Sequence, residues 1–237
     1  MALTDNLVSW WELDEASGTR NDAHGSNHLT DGNTVAQVAG KVGNAAQFVA
    51  ANAESLSIAD NANLSVSGVF SVCAWVYMDS KINNMCAVSK HSSLFTEYDL
   101  YYIADKIEVQ IEPAVFISQP MANLSQWYFV AAGWDGTSLW IAIDGGAKAT
   151  TAGSAPTDSN GAFTIGASKA GAEKCWDGRI DQVGFWKGKT LSASEITFLY
   201  NSGAGRSYAA VVAPTPALSD GLGKGKMAIQ QRMRRAA

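Results

Sequence analysis

Residues 176–186 read Trp-Asp-Gly-Arg-Ile-Asp-Gln-Val-Gly-Phe-Trp, and this stretch carries the strongest strand signal in the chain. Successive side chains of a strand point to opposite faces, and here apolar residues fall on both faces. Gly178 permits a tight turn into the strand because it has no side chain. The pattern therefore predicts a strand packed on both sides. Its two faces carry Ile180, Gln182, Gly184 and Trp186, and Asp181, Val183 and Phe185.

Short runs of β-branched and aromatic residues, ended by Gly, Asn, Asp or Ser, recur along the rest of the chain. Two turns are explicit, because Asp135-Gly136 and Asp144-Gly145 place Asp-Gly where a tight hairpin needs a positive φ. Eleven such runs predict an all-β sandwich or barrel. The predicted strands are Leu7–Leu13, Ala45–Val49, Ser55–Ile58, Phe70–Met78, Met85–Lys90, Tyr98–Ile103, Lys106–Ile111, Gln126–Trp134, Ser138–Ile143, Phe163–Ala167 and Gly178–Trp186.

One short helix is predicted near the end of this body. Ser192 suits an N-cap, Glu195 completes a capping box, and Ile196, Leu199 and Tyr200 then give helical apolar spacing. After Pro214 and Pro216, glycines at 221, 223 and 225 loosen the chain before a second helical stretch at Lys226–Arg235. We therefore expect a β-sandwich over residues 1–210 and a separable arm over residues 211–237.

Composition excludes several classes of protein. Hydrophobic residues make up 47% and charged residues 16%, so the chain can bury a core and does not resemble a disordered protein. It contains no apolar run of 18 residues, and it starts without the basic and apolar segments of a secretory signal. The three cysteines, Cys73, Cys86 and Cys175, lack metal-ligand spacing and are expected to be reduced core residues.

Charge divides the chain into two unequal parts. Residues 1–213 hold 21 acids and 12 bases, whereas residues 214–237 hold one acid and five bases. A basic end on an acidic body favours contact with phosphate, with an acidic protein surface or with a neighbouring copy, although a solvated tail is an equal alternative. Nucleic acid is the weaker candidate because no aromatic residues accompany the bases. The predicted partner-binding residues are Lys224, Lys226, Met227, Ile229, Arg232, Met233, Arg234 and Arg235.

Four motifs in order resemble the laminin G-like domains of the concanavalin A-like lectin/glucanase superfamily. They are Trp11–Gly18 with Asn21-Asp22, Gly40–Phe48, Phe70–Val76, and the ending from Phe163 through Trp176–Trp186 to Tyr200. The resemblance covers residues 5–207. It implies a jelly-roll β-sandwich of two curved antiparallel sheets, with the ends of the domain close together.

Relatives in this superfamily hydrolyse glycans with three carboxylates spaced Glu-x-Asp-x-Glu on one strand. Residues 12–16 read Glu-Leu-Asp-Glu-Ala, so Ala16 stands where the third acid is needed and Glu15 points to the opposite face. No other catalytic motif is present. We therefore expect a non-catalytic protein, with a hydrolase that uses another site as the third alternative.

The resemblance implies a structural calcium ion between the early Asp loop and the last strand. Calcium takes six to eight oxygens from carboxylates, Asn side chains and carbonyls. The positions that match are Asn21, Asp22, Asp177 and Asp181. In the alternative interpretation, Asp22 caps its own turn and Asp181 accepts backbone hydrogen bonds.

Glycan binding requires exposed aromatic rings beside polar groups. We expect Trp75, Trp127, Trp140 and Trp186 to lie in the core, because they fall inside apolar strands. Tyr101 and Tyr102 cannot both face inward. The predicted ligand-binding residues are Tyr98, Tyr101, Tyr102, Trp176 and His91, which flank Glu97, Asp99 and Lys174.

These features favour a binding and assembly module over an enzyme. Because the chain opens directly with the domain and lacks an export signal, we expect a phage virion surface protein, either a capsid decoration or a tail-associated adhesion subunit. The arm would join other virion proteins and the sandwich would face glycans. The alternative is an extracellular carbohydrate-binding module that does or does not depend on calcium. A homo-oligomer is expected in either case, without a defined symmetry.

Overall fold

A computed structural model of the chain describes residues 2–92, 95–112, 114–171 and 173–213. These residues form two packed antiparallel sheets, one of eight strands and one of seven. The predicted all-β jelly-roll sandwich is therefore confirmed. None of the helices in these four ranges is long and apolar enough to cross a membrane.

The described ranges contain fifteen strands and two short α-helices. The strands are β1 (Leu7–Trp11), β2 (Thr30–Gly32), β3 (Ala36–Ala39), β4 (Asn44–Phe48), β5 (Ser55–Ile58), β6 (Phe70–Met78), β7 (Met85–His91), β8 (Thr96–Ile103), β9 (Lys106–Ile111), β10 (Val115–Pro120), β11 (Trp127–Trp134), β12 (Ser138–Ile143), β13 (Ala149–Ala152), β14 (Ala162–Ile165) and β15 (Gly178–Lys187). The helices are α1 (Ala193–Tyr200) and α2 (Tyr208–Val212).

Strand order shows how distant parts of the chain meet. The eight-stranded sheet runs β13-β12-β11-β6-β15-β4-β3, and β1 also pairs with β15. The seven-stranded sheet runs β10-β9-β8-β7-β14-β5-β2. The stretch with the strongest strand signal is thus β15, which lies inside the larger sheet between β6 and β4.

All eleven predicted strands are present, and their ends differ from the prediction by no more than two residues. Four strands were missed, namely β2, β3, β10 and β13. Each of the four lies at the end of a sheet. An edge strand pairs on one side only and is less completely buried, so it lacks the apolar pattern that reveals an interior strand.

Both predicted turns contain a glycine with positive φ, but only at Asp144-Gly145 does the aspartate have a positive φ as well. Asp144 and Gly145 have φ of 50° and 71°, as a tight hairpin turn between twisted strands requires. Gly136 has φ of 105°, and the Asp135 carboxylate accepts hydrogen bonds from the N–H groups of Thr137 and Ser138. These bonds fix the turn that precedes β12.

Apolar packing fills two layers. The inner layer lies between the sheets and includes Trp11, Phe70 and Phe185. The second layer covers the outer face of the eight-stranded sheet, where residues of α1 and α2 pack on Trp75 and Trp186. Burial on both faces explains the nearly continuous apolar sequence of β6, whereas β15 also contains Arg179, Asp181, Gln182 and Lys187.

Helix α1 begins as predicted. The Ser192 hydroxyl accepts a hydrogen bond from the Glu195 N–H, and the Glu195 carboxylate accepts one from the Ser192 N–H at 2.8 Å. This reciprocal pair is a capping box. Helix α2 was not predicted, and it crosses the expected boundary at residue 210, since Val211 is buried against the second apolar layer. The predicted arm helix Lys226–Arg235 lies outside the described residues.

A buried ion pair closes one end of the inner layer. Lys90 and Glu97 are both fully buried, and the Lys90 ammonium lies 3.2 Å from the Glu97 carboxylate. The same ammonium binds Asp60 at 2.7 Å and donates to the carbonyls of Ser159 and Gly161. Burial raises the pKa of Glu97, although backbone N–H groups and Lys90 oppose the shift. The pair therefore ties two loops to β7 and β8.

Replacing Lys90 with Met should destabilise the protein strongly, because Glu97 would stay buried without its counter-charge. We expect the free energy of unfolding to fall by about 3–5 kcal/mol. Urea denaturation followed by tryptophan fluorescence measures this change. Lys106→Met, at an exposed position of β9, is the matched control and should change stability by less than about 0.5 kcal/mol. Equal effects of the two variants would contradict the structural role of Lys90.

Candidate functional site

Two of the predicted ligand residues, His91 and Tyr101, lie in a charged cluster on the outer face of the seven-stranded sheet. Asp99 and Tyr101 alternate with residues of β8 that face the inner layer, so they point outward. The Lys174 ammonium lies 2.9 Å from the Asp99 carboxylate and 4.9 Å from the centre of the Tyr101 ring. His91 Nδ1 lies 3.5 Å from the same carboxylate. We call His91, Asp99, Tyr101 and Lys174 the charged cluster.

The charged cluster is closed by its own contacts. Asp99 is fully buried and Tyr101 is 7% exposed. The Tyr101 hydroxyl donates to Glu108, and burial together with this bond raises the pKa of Tyr101. Burial alone would lower the pKa of Lys174, but the Asp99 charge outweighs it and raises that pKa. The cluster thus fastens the loop that contains Lys174 to the sheet and presents no open aromatic face.

The other three predicted ligand residues are buried and offer no open ring face to a ligand. Tyr98 and Tyr102 are each 1% exposed, and their hydroxyls donate to Leu64 and Asp105. Trp176 is fully buried, and its indole N–H donates to the carbonyl of Tyr77. Apolar packing between the sheets, rather than loop position, decides where these rings lie. As expected, Tyr101 and Tyr102 face opposite sides.

The predicted calcium ligands are not brought together. Within the described ranges, no three His, Cys, Asp or Glu side chains form a group that could hold a metal ion. The Asp22 carboxylate instead accepts from the N–H groups of Trp10, His24, Gly25 and Asn27. Asn21 donates to Glu15, and Asp177 accepts from the N–H of Ala50. These residues do not fit calcium and serve to fix loops.

Asp181 has the most unusual environment of the four. One carboxylate oxygen accepts from the N–H groups of Lys41 and Val42 at 2.7 and 2.9 Å. The other oxygen is buried and has no hydrogen bond with a described residue. Burial raises the pKa of Asp181 to about 7, and the nearby charge of Asp14 adds to the effect. The fold therefore favours the protonated acid.

The protonation of Asp181 predicts a pH dependence of stability. The folded protein holds this proton more tightly than the unfolded chain, whose ordinary value is 3.8. The stabilisation is therefore complete below about pH 4 and is lost as the pH rises to about 7. Asp181→Asn stays neutral, so the variant should lose this slope and exceed the wild type in stability at pH 8. Urea titrations from pH 4 to 8 test this.

Asp158→Asn, at an exposed loop position, is the control and should keep the wild-type slope. A slope that persists unchanged in Asp181→Asn would show that Asp181 is not its source.

Trp127 is the exception among the tryptophans. Seven of the eight are buried, with exposure of 2% or less. Trp127 is partly exposed at the first position of β11. The structure thus differs from two predictions. Trp127, expected in the core, is only partly buried against the second apolar layer, and Trp176, expected near a loop surface, is fully buried. If a tryptophan of this chain stacks on a sugar without rearrangement, it is Trp127.

Trp127 begins a row of side chains that crosses the eight-stranded sheet. It pairs with Tyr77 on β6, which pairs with Arg179 on β15, which pairs with Gln47 on β4. Paired residues of antiparallel strands share a face, and three strand spacings make the row about 14 Å long. All four side chains are partly exposed. We call these four residues the Trp127 row.

The Trp127 row is open because helix α1 stops short of it. Trp75 lies two residues before Tyr77 in β6, and Phe129 lies two residues after Trp127 in β11, so both are on the same face as the row. Their rings are covered by Tyr200 at the end of α1, at 5.7 and 6.3 Å between ring centres. Beyond this cover the same face of the sheet is accessible. The row therefore lies beside the part of this face that Tyr200 covers.

A chain of hydrogen bonds orients the polar end of the row. Arg179 Nε donates to the Gln47 carbonyl at 3.3 Å, and the Gln47 amide donates to the Asp79 carboxylate at 2.9 Å. Within the described ranges, no hydrogen bond occupies the terminal nitrogens of Arg179, the Tyr77 hydroxyl or the Trp127 indole N–H. The row therefore combines a partly exposed ring with hydrogen-bond donors that no described residue occupies, and the Asp79 carboxylate lies beside it.

One feature of the sequence indicates the row, namely polar groups near the ends of two largely apolar strands. Tyr77 and Arg179 are polar-tipped residues close to the ends of strands whose other positions are mostly apolar. Their juxtaposition follows from the pairing of β6 with β15, which lie about a hundred residues apart in the chain. Without the register of that pairing, the four side chains cannot be assigned to one surface.

Over residues 50–197 the sequence matches the Laminin_G_3 family, described as part of the concanavalin A-like lectin/glucanases superfamily. The match covers more than half of the chain. The chain belongs to this family. The resemblance seen in the sequence motifs is thereby confirmed. A comparison with curated proteins gives no match.

Solved structures similar to this laminin G-like chain include binding domains and parts of enzymes. The binding domain of Paraclostridial Mosquitocidal Protein 1 has a TM-score of 0.66 and 14% identity, over 85% of this chain and 53% of that one. Domain 4 of AbnA, a GH43 extracellular arabinanase from Geobacillus stearothermophilus in complex with arabinotriose, has a TM-score of 0.62 and 17% identity. This match covers 85% of this chain and 98% of that one. Trypanosoma rangeli sialidase has a TM-score of 0.64 and 15% identity, over 86% of this chain and 34% of that one.

These likenesses show the fold. The chain spans about half the length of the mosquitocidal binding domain and a third of the sialidase. It spans nearly the whole of the arabinanase domain, so the same sandwich occurs as a complete unit within a larger enzyme.

Proposed function

We propose that this chain is a non-catalytic glycan-binding module and that the Trp127 row is its binding surface. The observation that carries the proposal is the partial exposure of Trp127 beside donors that have no hydrogen bond within the described part of the chain, and beside the Asp79 carboxylate. A sugar ring has an apolar face that stacks on an aromatic ring, and its hydroxyls need directional partners. Trp127 offers a ring for stacking, and Tyr77, Arg179 and Asp79 offer hydrogen-bond partners for the hydroxyls.

The hydrogen-bond chain from Arg179 to Asp79 supports binding because it holds the polar groups in place before a ligand arrives. Ordering a flexible side chain on binding costs about 0.5–1.5 kcal/mol. Arg179 is already stacked at 4.5 Å from the centre of the Tyr77 ring, and Gln47 is fixed at both ends of its amide. Much of that cost is therefore met during folding.

The non-catalytic part of the proposal draws on the acids at the end of β1. Glu12 accepts the N–H of Tyr208 at 2.9 Å, and Asp14 accepts the N–H of Asn44 at 2.6 Å. Strand β1 ends at Trp11, before both acids. They hold α2 and a turn in place. The fold is shared with binding domains such as that of the mosquitocidal protein, which agrees with a binding role.

Trp127→Ala should abolish glycan binding while leaving the fold intact, because the ring is partly exposed and lies at the end of a strand. We expect the affinity to fall at least tenfold on a glycan array that includes arabino-oligosaccharides, the sugar class present in the similar arabinanase domain. Phe116→Ala, which removes an aromatic ring 61% exposed on β10, is the matched control and should bind as the wild type does.

The array is repeated with a chelator. Because Asp22, Asp177 and Asp181 accept hydrogen bonds from backbone N–H groups and Asn21 donates to Glu15, binding should be unchanged. Flat wild-type signal on every sugar would refute the glycan proposal, and loss of signal only with the chelator would restore a calcium site.

We also propose that the module is displayed on a phage particle, as a capsid decoration or tail-associated subunit, with residues 214–237 as its attachment to other virion proteins. The observation that favours attachment through this segment is the charge division, net −9 for residues 1–213 against +4 for the arm. Arginines would contact carboxylates of the partner, and Met227, Ile229 and Met233 would supply apolar anchors. An extracellular module outside a virion is the alternative setting.

Deleting residues 214–237 should separate folding from attachment. The truncated protein should keep the wild-type melting temperature and bind the same sugars, because neither Val211 nor the Trp127 row is removed. It should no longer co-sediment with purified particles. A second variant replaces the five arm bases with Gln, keeps the apolar residues and should show the same loss. Incorporation of the truncated protein at the wild-type level would refute the role of the arm.

A further inference from the structure

The surroundings of Tyr77 restrict how a glycan can lie on the Trp127 row. The Arg179 guanidinium lies 4.5 Å from the centre of the Tyr77 ring. Trp127, on the neighbouring strand at the other side of β6, meets the same ring at 5.4 Å between centres and 60° between planes. Tyr77 therefore lies between two protein groups. The ring left for stacking is the indole of Trp127.

The angle between the two rings gives a second restriction. Rings that lie against one flat surface must be nearly coplanar, whereas Tyr77 and Trp127 are inclined at 60°. The flat face of a crystalline polysaccharide therefore meets only one of them. A free sugar residue, in contrast, can stack on Trp127 and turn its hydroxyls toward the side of the row.

The charged side chains at the row restrict the charge of the sugar that can bind. Arg179, the one cation of the row, is linked through the Gln47 amide to the carboxylate of Asp79 beside the row. Asp177, two residues before Arg179, adds a second carboxylate near this end. A sugar that carries its own carboxylate would meet these acids as well as the guanidinium. Neutral hydroxyls suit both, because a hydroxyl donates to Asp79 and accepts from Arg179 or Tyr77.

We propose that the Trp127 row binds one stacked neutral sugar, a terminal or branch residue of a soluble glycan, and neither a crystalline polysaccharide surface nor an acidic chain. This inference rests on the proposed glycan-binding function. It narrows that function to a single aromatic subsite with hydrogen-bond groups on one side.

The test measures affinity against chain length. The probes are gluco-, xylo-, arabino- and galacto-oligosaccharides of one to six residues, polygalacturonate fragments of the same lengths, and suspensions of microcrystalline cellulose and chitin. In a neutral series that binds, affinity should rise less than threefold from the disaccharide to the hexasaccharide. The acidic series should bind at least tenfold more weakly, and neither suspension should remove the protein from solution.

Different failures have different meanings. Affinity that rises more than tenfold with length, binding to either suspension, or equal binding of the acidic series would overturn the single-subsite inference and leave glycan binding intact. Absence of binding to every probe would overturn both the inference and the proposed function.

Acrylamide quenching of tryptophan fluorescence locates the site, because Trp127 is the partly exposed tryptophan and the other seven are buried. A bound sugar should protect Trp127 from quenching. Trp127→Phe should keep stacking and most of the affinity, Trp127→Ala should lose it, and Tyr77→Phe should weaken binding about threefold to tenfold by removing one hydroxyl. Sugar binding without protection of Trp127 would place the site elsewhere and overturn the inference.

Discussion

Burial of both faces of the central strands is the constraint on which the rest of this structure depends. Strands β6 and β15 carry apolar side chains toward the inner layer and toward the outer layer, so the eight-stranded sheet needs cover on each side. The seven-stranded sheet covers one side, and α1 and α2 cover part of the other. Where α1 ends at Tyr200, the outer face changes from apolar packing to Trp127, Tyr77 and Arg179. The candidate site is thus the part of the sheet that the helices leave open.

The sequence predicted those features whose residues are strongly patterned. Interior strands, the Asp-Gly turns and the capping box at Ser192 could be predicted because each depends on residues close together in the chain. The four edge strands could not, because an edge strand needs only one partner and a few polar residues suffice to form it. The burial of individual aromatic rings also could not be predicted from neighbouring residues in the sequence. Trp127 and Trp176 both lie at the ends of strands, and only the packing of the second sheet separates them.

Charged residues in this sandwich serve two different purposes. In the buried pair of Lys90 and Glu97 and in the charged cluster around Asp99, charges meet each other and fix loops to strands. In the Trp127 row, Gln47 holds the Nε of Arg179, and no described residue makes a hydrogen bond with the terminal nitrogens of its guanidinium. Motif matching cannot separate these purposes, because the same residue types occur in both. The distinction lies in whether a charged group has used its hydrogen-bonding capacity within the fold.

The four short edge strands have a consequence for molecules held close together on a crowded surface. Sheets join edge to edge when a long, flat, unpaired strand offers a continuous ladder of N–H and C=O groups to a neighbour. Here the outermost strands are three to six residues long, and β10 ends at Pro120, which has no N–H to donate. Such borders resist strand exchange and fibril growth. Pairing of sheets between crowded copies is therefore disfavoured.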